Sequence, residues 1–205
     1  MRTVYVNGKY LPENEATVSV FDRGFLFADA VYEVTAVFDG RLVDFHGHMT
    51  RLRRSLSELQ MELPASDAEI LAIHRELVRV NNVTEGIVYT QVSRGSADRD
   101  FLFPDVGLTS TVVLFTQHKN LIDNPTGRRG LHVITVPDQR WRRCDIKTVQ
   151  LLYSSLAKTR AKQQGADDVW MVLDGFVTEG SSNNAYIVTQ DNVIVTRQLS
   201  NDILH

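Results

Sequence analysis

Lys147 follows the stretch Trp141-Arg142-Arg143-Cys144-Asp145-Ile146 and opens onto a run with apolar residues at Val149, Leu152, Tyr153 and Leu156. That is the i, i+3, i+4, i+7 spacing of one helix face. Upstream, Leu131, Val133, Ile134 and Val136 read as a strand closed by Pro137. The pattern puts Lys147 in a loop leading into a helix, between two apolar elements. A lysine whose ammonium is partly desolvated can act as an amine nucleophile or a base. Without more, a lysine near a helix start is an exposed surface residue. Three other features could do chemistry. Glu179 lies in Thr178-Glu179-Gly180-Ser181-Ser182-Asn183-Asn184, a loop dense in donors. Arg51 could grip an anion with its planar fork. Tyr32 sits mid-strand with a polar tip. Each also has a plain reading: a half-buried aromatic for Tyr32, an exposed helix arginine for Arg51, turn residues for Ser182 and Asn183. Spacing alone does not assemble them into one site.

Composition narrows the setting. The 205 residues are 43% hydrophobic and 23% charged, as in ordinary globular proteins with room for a sizeable core. A net charge of −3 and a pI of about 6.1 lack the basic footprint of a nucleic-acid partner. Arg51, Arg53 and Arg54 read as a solvated helix face. No stretch approaches the ~18 apolar residues of a membrane helix. No apolar run of a signal peptide opens the chain, so no membrane partner is expected. Cys144 is the one cysteine, which leaves no intrachain disulfide and fits a reducing cytoplasm. No Ser/His/Asp pattern supports Cys144 as a nucleophile. His46 and His48 have i, i+2 spacing that suits a metal on a strand, but no carboxylate or cysteine cluster joins them, and no metal is expected.

The elements that must position these residues follow in order. Asn7-Gly8 between Val4-Tyr5-Val6 and Tyr10-Leu11 predicts a hairpin. Asp22-Arg23-Gly24 predicts a turn. Val31 to Phe38 predicts a strand with Tyr32, Val34 and Ala36 on one face and Val31, Glu33, Thr35 and Val37 on the other. Asp39-Gly40 turns it back. From His48 a helix is predicted, with Arg51 near its beginning. Ser66 and Glu69 form a capping box before a second helix carrying Ile70, Ile73, Leu77 and Val80. Strands are predicted over 87–93 and 111–116. Beyond the strand that ends at Pro137 and the helix to about Gln164, hairpins are predicted around Asp174-Gly175 and Asp191-Asn192. The class is mixed α/β (α+β), with mostly antiparallel pairing. Residues 1–119 read as a small N-terminal α/β domain, 120–130 as a linker containing Pro125 and Gly127, and 131–205 as the first part of a larger C-terminal domain.

The ordered motifs decide between the readings. They are Asp22-Arg23-Gly24-Phe25 with Phe27 and Asp29, Val31-Tyr32-Glu33-Val34, His48-x-x-Arg51-Leu52, Arg94-Gly95 with Arg99, Arg140-Trp141-x-Arg143-Cys144-Asp145-Ile146-Lys147, and the loop from Thr178 to Asn184. From Tyr5 to Leu204 the chain resembles the fold-type IV pyridoxal 5′-phosphate (PLP) aminotransferases, most closely those acting on D-amino acids. The resemblance implies a two-domain fold and a homodimer. It implies transamination between a D-amino acid such as D-alanine and a 2-oxo acid such as 2-oxoglutarate, with the amino group parked on the cofactor between half-reactions. Lys147 would be the Schiff-base lysine and would move the proton between the substrate Cα and the cofactor. Glu179 would pair with the pyridine nitrogen, Arg51 with the phosphate and Arg140 with the phenolic oxygen. Ser182, Asn183 and Leu204 would lie close to the cofactor. Tyr32, Val34 and Arg99 would serve the substrate.

Two departures are expected to matter. The family's Arg-x-His pair, which holds the substrate carboxylate across the dimer, becomes Arg99 with Phe101 here. A phenyl ring cannot donate a hydrogen bond, so one charge-assisted contact of roughly 1.5–3 kcal/mol is missing. That leaves room for a branched-chain L-amino acid aminotransferase, an (R)-selective amine aminotransferase or an aminodeoxychorismate lyase. The chain also stops at Leu204-His205, where the family continues into a Gly-Ile-Thr phosphate turn. A C-terminally truncated second domain is therefore expected, with a non-catalytic fragment as the plain alternative.

Overall fold

Asn7 and Gly8 take φ of 46° and 89° and fold β1 (Thr3–Val6) back on β2 (Lys9–Pro12), with Val6 opposite Lys9. Both central residues of such a two-residue turn need positive φ, which Asn and Gly tolerate. The structure is a computed structural model that describes residues 1–104 and 107–205. It divides into two units: residues 1–123 with 147–149, and residues 124–146 with 150–205.

In the first unit, α1 (Arg23–Phe27) precedes β3 (Ala30–Phe38) and β4 (Arg41–Leu42); α2 (Phe45–Glu58) and α3 (Asp67–Val80) precede β5 (Glu85–Ser93) and β6 (Thr111–His118). The strands form one sheet in the order β2-β1-β6-β5-β3-β4, and every neighbouring pair is antiparallel. Strand alternation is as the sequence predicts: Val31, Glu33, Thr35 and Val37 are buried, while Tyr32, Val34 and Ala36 are half-buried. Met49, Leu52, Leu56, Ile70 and Leu77, from α2 and α3, are fully buried with Val31, Val37 and Leu114 of the sheet. The predicted capping box is present, with Ser66 and Glu69 each bonded to the other's backbone N–H.

Two local predictions are corrected. Asp22-Arg23-Gly24 is a helix start rather than a turn, because the Asp22 side chain caps α1 by accepting from Gly24 N at 2.8 Å. The buried Arg23 then pairs with Asp29 at 2.7 Å. The helix expected from His48 begins at Phe45, since Asp44, at φ 47°, accepts from Gly47 N. Arg51 therefore lies mid-helix.

In the second unit, α4 (Pro125–Arg129) and β7 (Val133–Pro137) precede α5 (Leu152–Gln163), β8 (Asp168–Leu173), β9 (Phe176–Gly180) and the hairpin β10 (Tyr186–Val188) with β11 (Ile194–Thr196). β7 and β8 are parallel, and β8 and β9 antiparallel. A parallel pair needs a long crossover, and α5 supplies it. The predicted apolar face of that helix is corrected. Leu152 and Leu156 are 74% and 60% exposed, while Ala157 and Ala161 are buried against Val136, Val169 and Met171, with Tyr153 packed beside them. Tyr153, Ala157 and Ala161 make an i, i+4, i+8 stripe whose small side chains let the helix approach the sheet; counting large apolar residues selects the neighbouring stripe.

Candidate active site

The crossover from β7 to α5 carries Lys147, whose backbone belongs to the first unit. Residues 147–149 run along the outer edge of β3: Tyr32 N donates to Lys147 O at 3.0 Å, Val149 N donates to Ala30 O at 3.1 Å, and Thr148 bridges Val31 antiparallel. Ser55 of α2 accepts from Lys147 N at 3.2 Å. Strand-type pairing fixes the backbone, and with it the root of the side chain. The Lys147 ammonium then stands 4.5 Å from the centre of the Tyr32 ring, within cation–π range. Tyr32 stacks on Tyr89 at 5.4 Å, and Tyr89 on Phe115 at 4.7 Å. Burial, with Tyr32 nearby, pushes the Tyr89 hydroxyl up to about 12. Val34 shares the Tyr32 face of β3 by strand alternation.

The next residue of β3 turns the other way. Glu33 is 0% exposed. Its Oε1 accepts from Arg51 Nε at 2.6 Å, its Oε2 from Arg51 Nη2 at 2.8 Å, and His48 Nδ1 lies 2.8 Å from Oε2. Burial alone would push this carboxyl up; the donors of Arg51 and His48, with the charge of Lys147, hold it below the usual carboxylate range. Arg51 is raised in turn, first by Glu33. The structure thus brings the predicted Lys147 and Tyr32 together on one face of β3 and ties the predicted Arg51 to a buried carboxylate on the other, one that the strand pattern presents only as an inward position. A charged residue in phase with Val31, Thr35 and Val37 was the available signal.

Arg99 is not part of this group. It is exposed, with its guanidinium 5.3 Å from the Phe27 ring centre and 5.4 Å from that of Phe101, itself 80% exposed. A groove of about 920 Å³ elsewhere in this unit, lined by Leu42, Phe45, Arg75 and Val78 among others, holds none of the predicted residues.

The second unit organises Arg140 and Glu179. Arg140 grips Asp138 with Nε at 3.0 Å and Nη2 at 2.6 Å, and its Nη1 donates to Glu179 Oε1. Glu179 is 6% exposed, and its Oε2 accepts from Asn184 Nδ2 and from the Leu204 N–H, each at 3.2 Å. Leu204 therefore enters through its backbone. Asn183 donates to Asp168 at 3.0 Å and its carbonyl accepts from Gly180 N at 2.7 Å; a Cβ at Gly180 would meet Asn183 Oδ1 at 2.3 Å. Ser182 is exposed. Asp138 and Asn184 were not singled out from the sequence, although the Asp138-x-Arg140 spacing was visible. Burial pushes the Cys144 thiol up to about 11, and its S–H donates to the Trp141 carbonyl, so it stays protonated at neutral pH. Among the described residues no group of His, Cys, Asp and Glu could hold a metal ion.

Residues 30–205 match the model of the class IV amino-transferase family. The chain belongs to the class IV aminotransferases. It is a PLP-dependent aminotransferase, a transferase of amino groups. It is 37% identical over 207 residues to a D-alanine aminotransferase of Staphylococcus haemolyticus, a match spanning all of this chain and 72% of that one. It is 38% identical over 204 residues to a D-alanine aminotransferase of Bacillus licheniformis, covering 98% of this chain and 70% of that one. The branched-chain amino acid aminotransferase of Escherichia coli superposes with a TM-score of 0.85 at 18% identity, over 99% of this chain and 70% of that one. At that identity the likeness is one of fold. No helix among the described residues is long and apolar enough to cross a membrane.

The residues present fit the cofactor. Its aldehyde needs an amine, its ring nitrogen a carboxylate and its phosphate cationic donors. Lys147 offers a half-buried amine on a pinned backbone, and Glu179 a nearly buried carboxylate set by three donors. Arg51 and Arg140 are guanidiniums already oriented by buried acids.

Proposed function

We propose that the protein moves the amino group of a D-amino acid such as D-alanine to a 2-oxo acid such as 2-oxoglutarate, with Lys147 as the Schiff-base lysine. The observation that carries the reading is the pairing of the 147–149 segment with β3, which sets the Lys147 amine over the Tyr32 ring. The identity of about 37% to D-alanine aminotransferases over the whole chain supports the D-amino acid.

The chain's own residues divide the work. Lys147 would take a proton from the substrate Cα and hold it at its amine for return on the cofactor side. Tyr32, beside that amine, lines the substrate side and steers the carboxylate, with Val34 shaping the same wall. Arg51, held charged by Glu33, would meet the phosphate. Glu179 would keep a proton on the ring nitrogen, and Arg140 would support the phenolic oxygen. Ser182 and Asn183 would flank the cofactor from the Thr178–Asn184 loop, and the Leu204 backbone holds Glu179. When bound, PLP supplies the electron sink for the pair left at Cα. Arg99 serves the substrate from its exposed loop. Phe25, Phe101 and Leu102, exposed at 72%, 80% and 77%, support a homodimer built on that face. Cytoplasmic placement is supported by the single free cysteine.

A second reading, transamination of (R)-amines, which bear no carboxylate, is favoured by Phe101, which cannot donate to one; branched-chain L-amino acids are the further alternative. Absorption spectra of the protein with PLP, taken before and after D-alanine, L-leucine or an (R)-amine, test both. Conversion to the pyridoxamine form by D-alanine is the expected result. Conversion by L-leucine or an (R)-amine alone would replace the D-amino acid reading. No cofactor band, and no borohydride-stable label on Lys147, would overturn the enzyme itself.

A further inference from the structure

Asp138, which the proposed function does not use, closes a chain of charges with Arg140 and Glu179. Its backbone N–H is fixed to Val172 O of β8 at 2.8 Å. Its carboxylate takes two edges of the Arg140 guanidinium, at 3.0 and 2.6 Å, and the Thr178 hydroxyl at 2.7 Å. Thr178 directly precedes Glu179 on β9, so Asp138 is bonded both to the residue before Glu179 and to the cation on it. Arg140 is further held by Asp202 O at 3.0 Å. Side-chain exposures are 7% for Asp138, 12% for Arg140 and 7% for Glu179, so little water screens the three charges from one another.

The charge count gives the network its meaning. Asp138, Arg140 and Glu179 together carry −1. Without the Asp138 carboxylate, Arg140 and Glu179 would form a neutral pair, with Glu179 the one carboxylate left on the guanidinium. A neutral pair attracts a protonated ring nitrogen far less than a pair with a carboxylate in excess. We propose that Asp138 is a positioning residue that, by engaging Arg140, leaves Glu179 with the net negative charge that keeps the ring nitrogen of the cofactor protonated. This inference rests on the reading of Glu179 as the partner of that nitrogen.

The surroundings are compatible with this. Burial pushes the Asp138 carboxyl up, but Arg140 and Thr178 outweigh it and hold the carboxyl below its ordinary range. From the other elements, Asn184 and the Leu204 N–H face Glu179 as neutral donors. The Cys144 thiol near Arg140 is protonated, and Tyr153 of α5 lies near Asp138 with its hydroxyl on the Pro137 carbonyl. Asp202 adds one more acid, which faces Arg142 at 3.8 Å.

The test is the ring-nitrogen signal of the protein reconstituted with ring-15N PLP, followed by NMR against pH. In the wild type the nitrogen should stay protonated through neutral pH. Asp138→Asn should lower its proton affinity about tenfold or more. The double variant Asp138→Asn/Arg140→Gln restores the −1 charge and removes both members of the buried pair. It should return the affinity towards wild type, and Asp138→Asn should change little once Arg140→Gln is in place, whereas a merely structural role for Asp138 would lower the affinity with or without Arg140. A wild-type signal in Asp138→Asn, or a double variant no better than the single, overturns the proposal; if the single variant does not fold, the double variant decides, since a nitrogen left unprotonated in it also overturns the proposal. Glu179→Gln separates the two levels. If it leaves the nitrogen unchanged, the reading of Glu179 fails and this proposal with it. If it shifts the nitrogen while Asp138→Asn does not, this proposal fails alone. A wild type that takes up no PLP overturns both.

Discussion

The Arg51 guanidinium grips the Glu33 carboxylate through two N–H groups, at 2.6 and 2.8 Å, on the strand position next to the tyrosine whose ring carries the Lys147 ammonium. One residue of β3 thus faces the amine and the next anchors the arginine. A strand alternates its side chains, so the two neighbours serve two faces of one short stretch of backbone.

Glu33→Ala would leave the Arg51 charge facing a gap at a fully buried position. A loss of about 3–5 kcal/mol is expected from a single broken buried pair, read by urea unfolding; a loss below ~1 kcal/mol would show that the pair does not hold the fold. The pH sign follows from the depressed carboxyl of Glu33. Its contribution is complete above the unfolded carboxylate value of about 4.3 and is lost as pH falls through the lower folded value. The wild type should therefore lose more stability on strong acidification than Glu33→Gln.

His74 gives the fold a second acid sensitivity. Its ring is 0% exposed, 2.8 Å from Ile70 O and 3.2 Å from Thr90 Oγ1, and burial lowers it to about 4. The unfolded imidazole takes up its proton near 6.5, so between about 6.5 and 4 the unfolded chain binds more protons and stability falls as pH falls. That window is worth about 3 kcal/mol at ~1.4 kcal/mol per unit. Urea midpoints measured from pH 7 to 4 should drop in the wild type and flatten in His74→Phe. Equal slopes in the two proteins would refute a buried neutral imidazole.

Phe101→His tests the altered carboxylate contact. Phe101 is 80% exposed in the single chain, so the change should leave the unfolding of the chain itself within about 0.5 kcal/mol of wild type. A new charge-assisted donor of roughly 1.5 kcal/mol or more should lower KM for D-alanine about tenfold. An unchanged KM would mean that the substrate carboxylate is anchored elsewhere.

What the sequence determined is local. Turn residues with positive φ, the Ser66–Glu69 capping box and the two faces of β3 were legible because each depends on the conformations of a few adjacent residues. The ordered motifs also singled out Lys147 and Glu179 as candidates. What only tertiary structure decided is pairing at a distance. The segment from Lys147 to Val149 runs along a strand more than a hundred residues earlier, and Glu33 finds its cation 18 residues on. Asp138 reaches Thr178 across 40 residues. The stripe that α5 buries was also decided by the approach of helix to sheet, where two alanines fit better than two leucines. Spacing along a chain records which face a residue can take. The partner that satisfies a buried charge or fills a gap is fixed when separate elements pack, and the free energy at stake there is set by desolvation and shape.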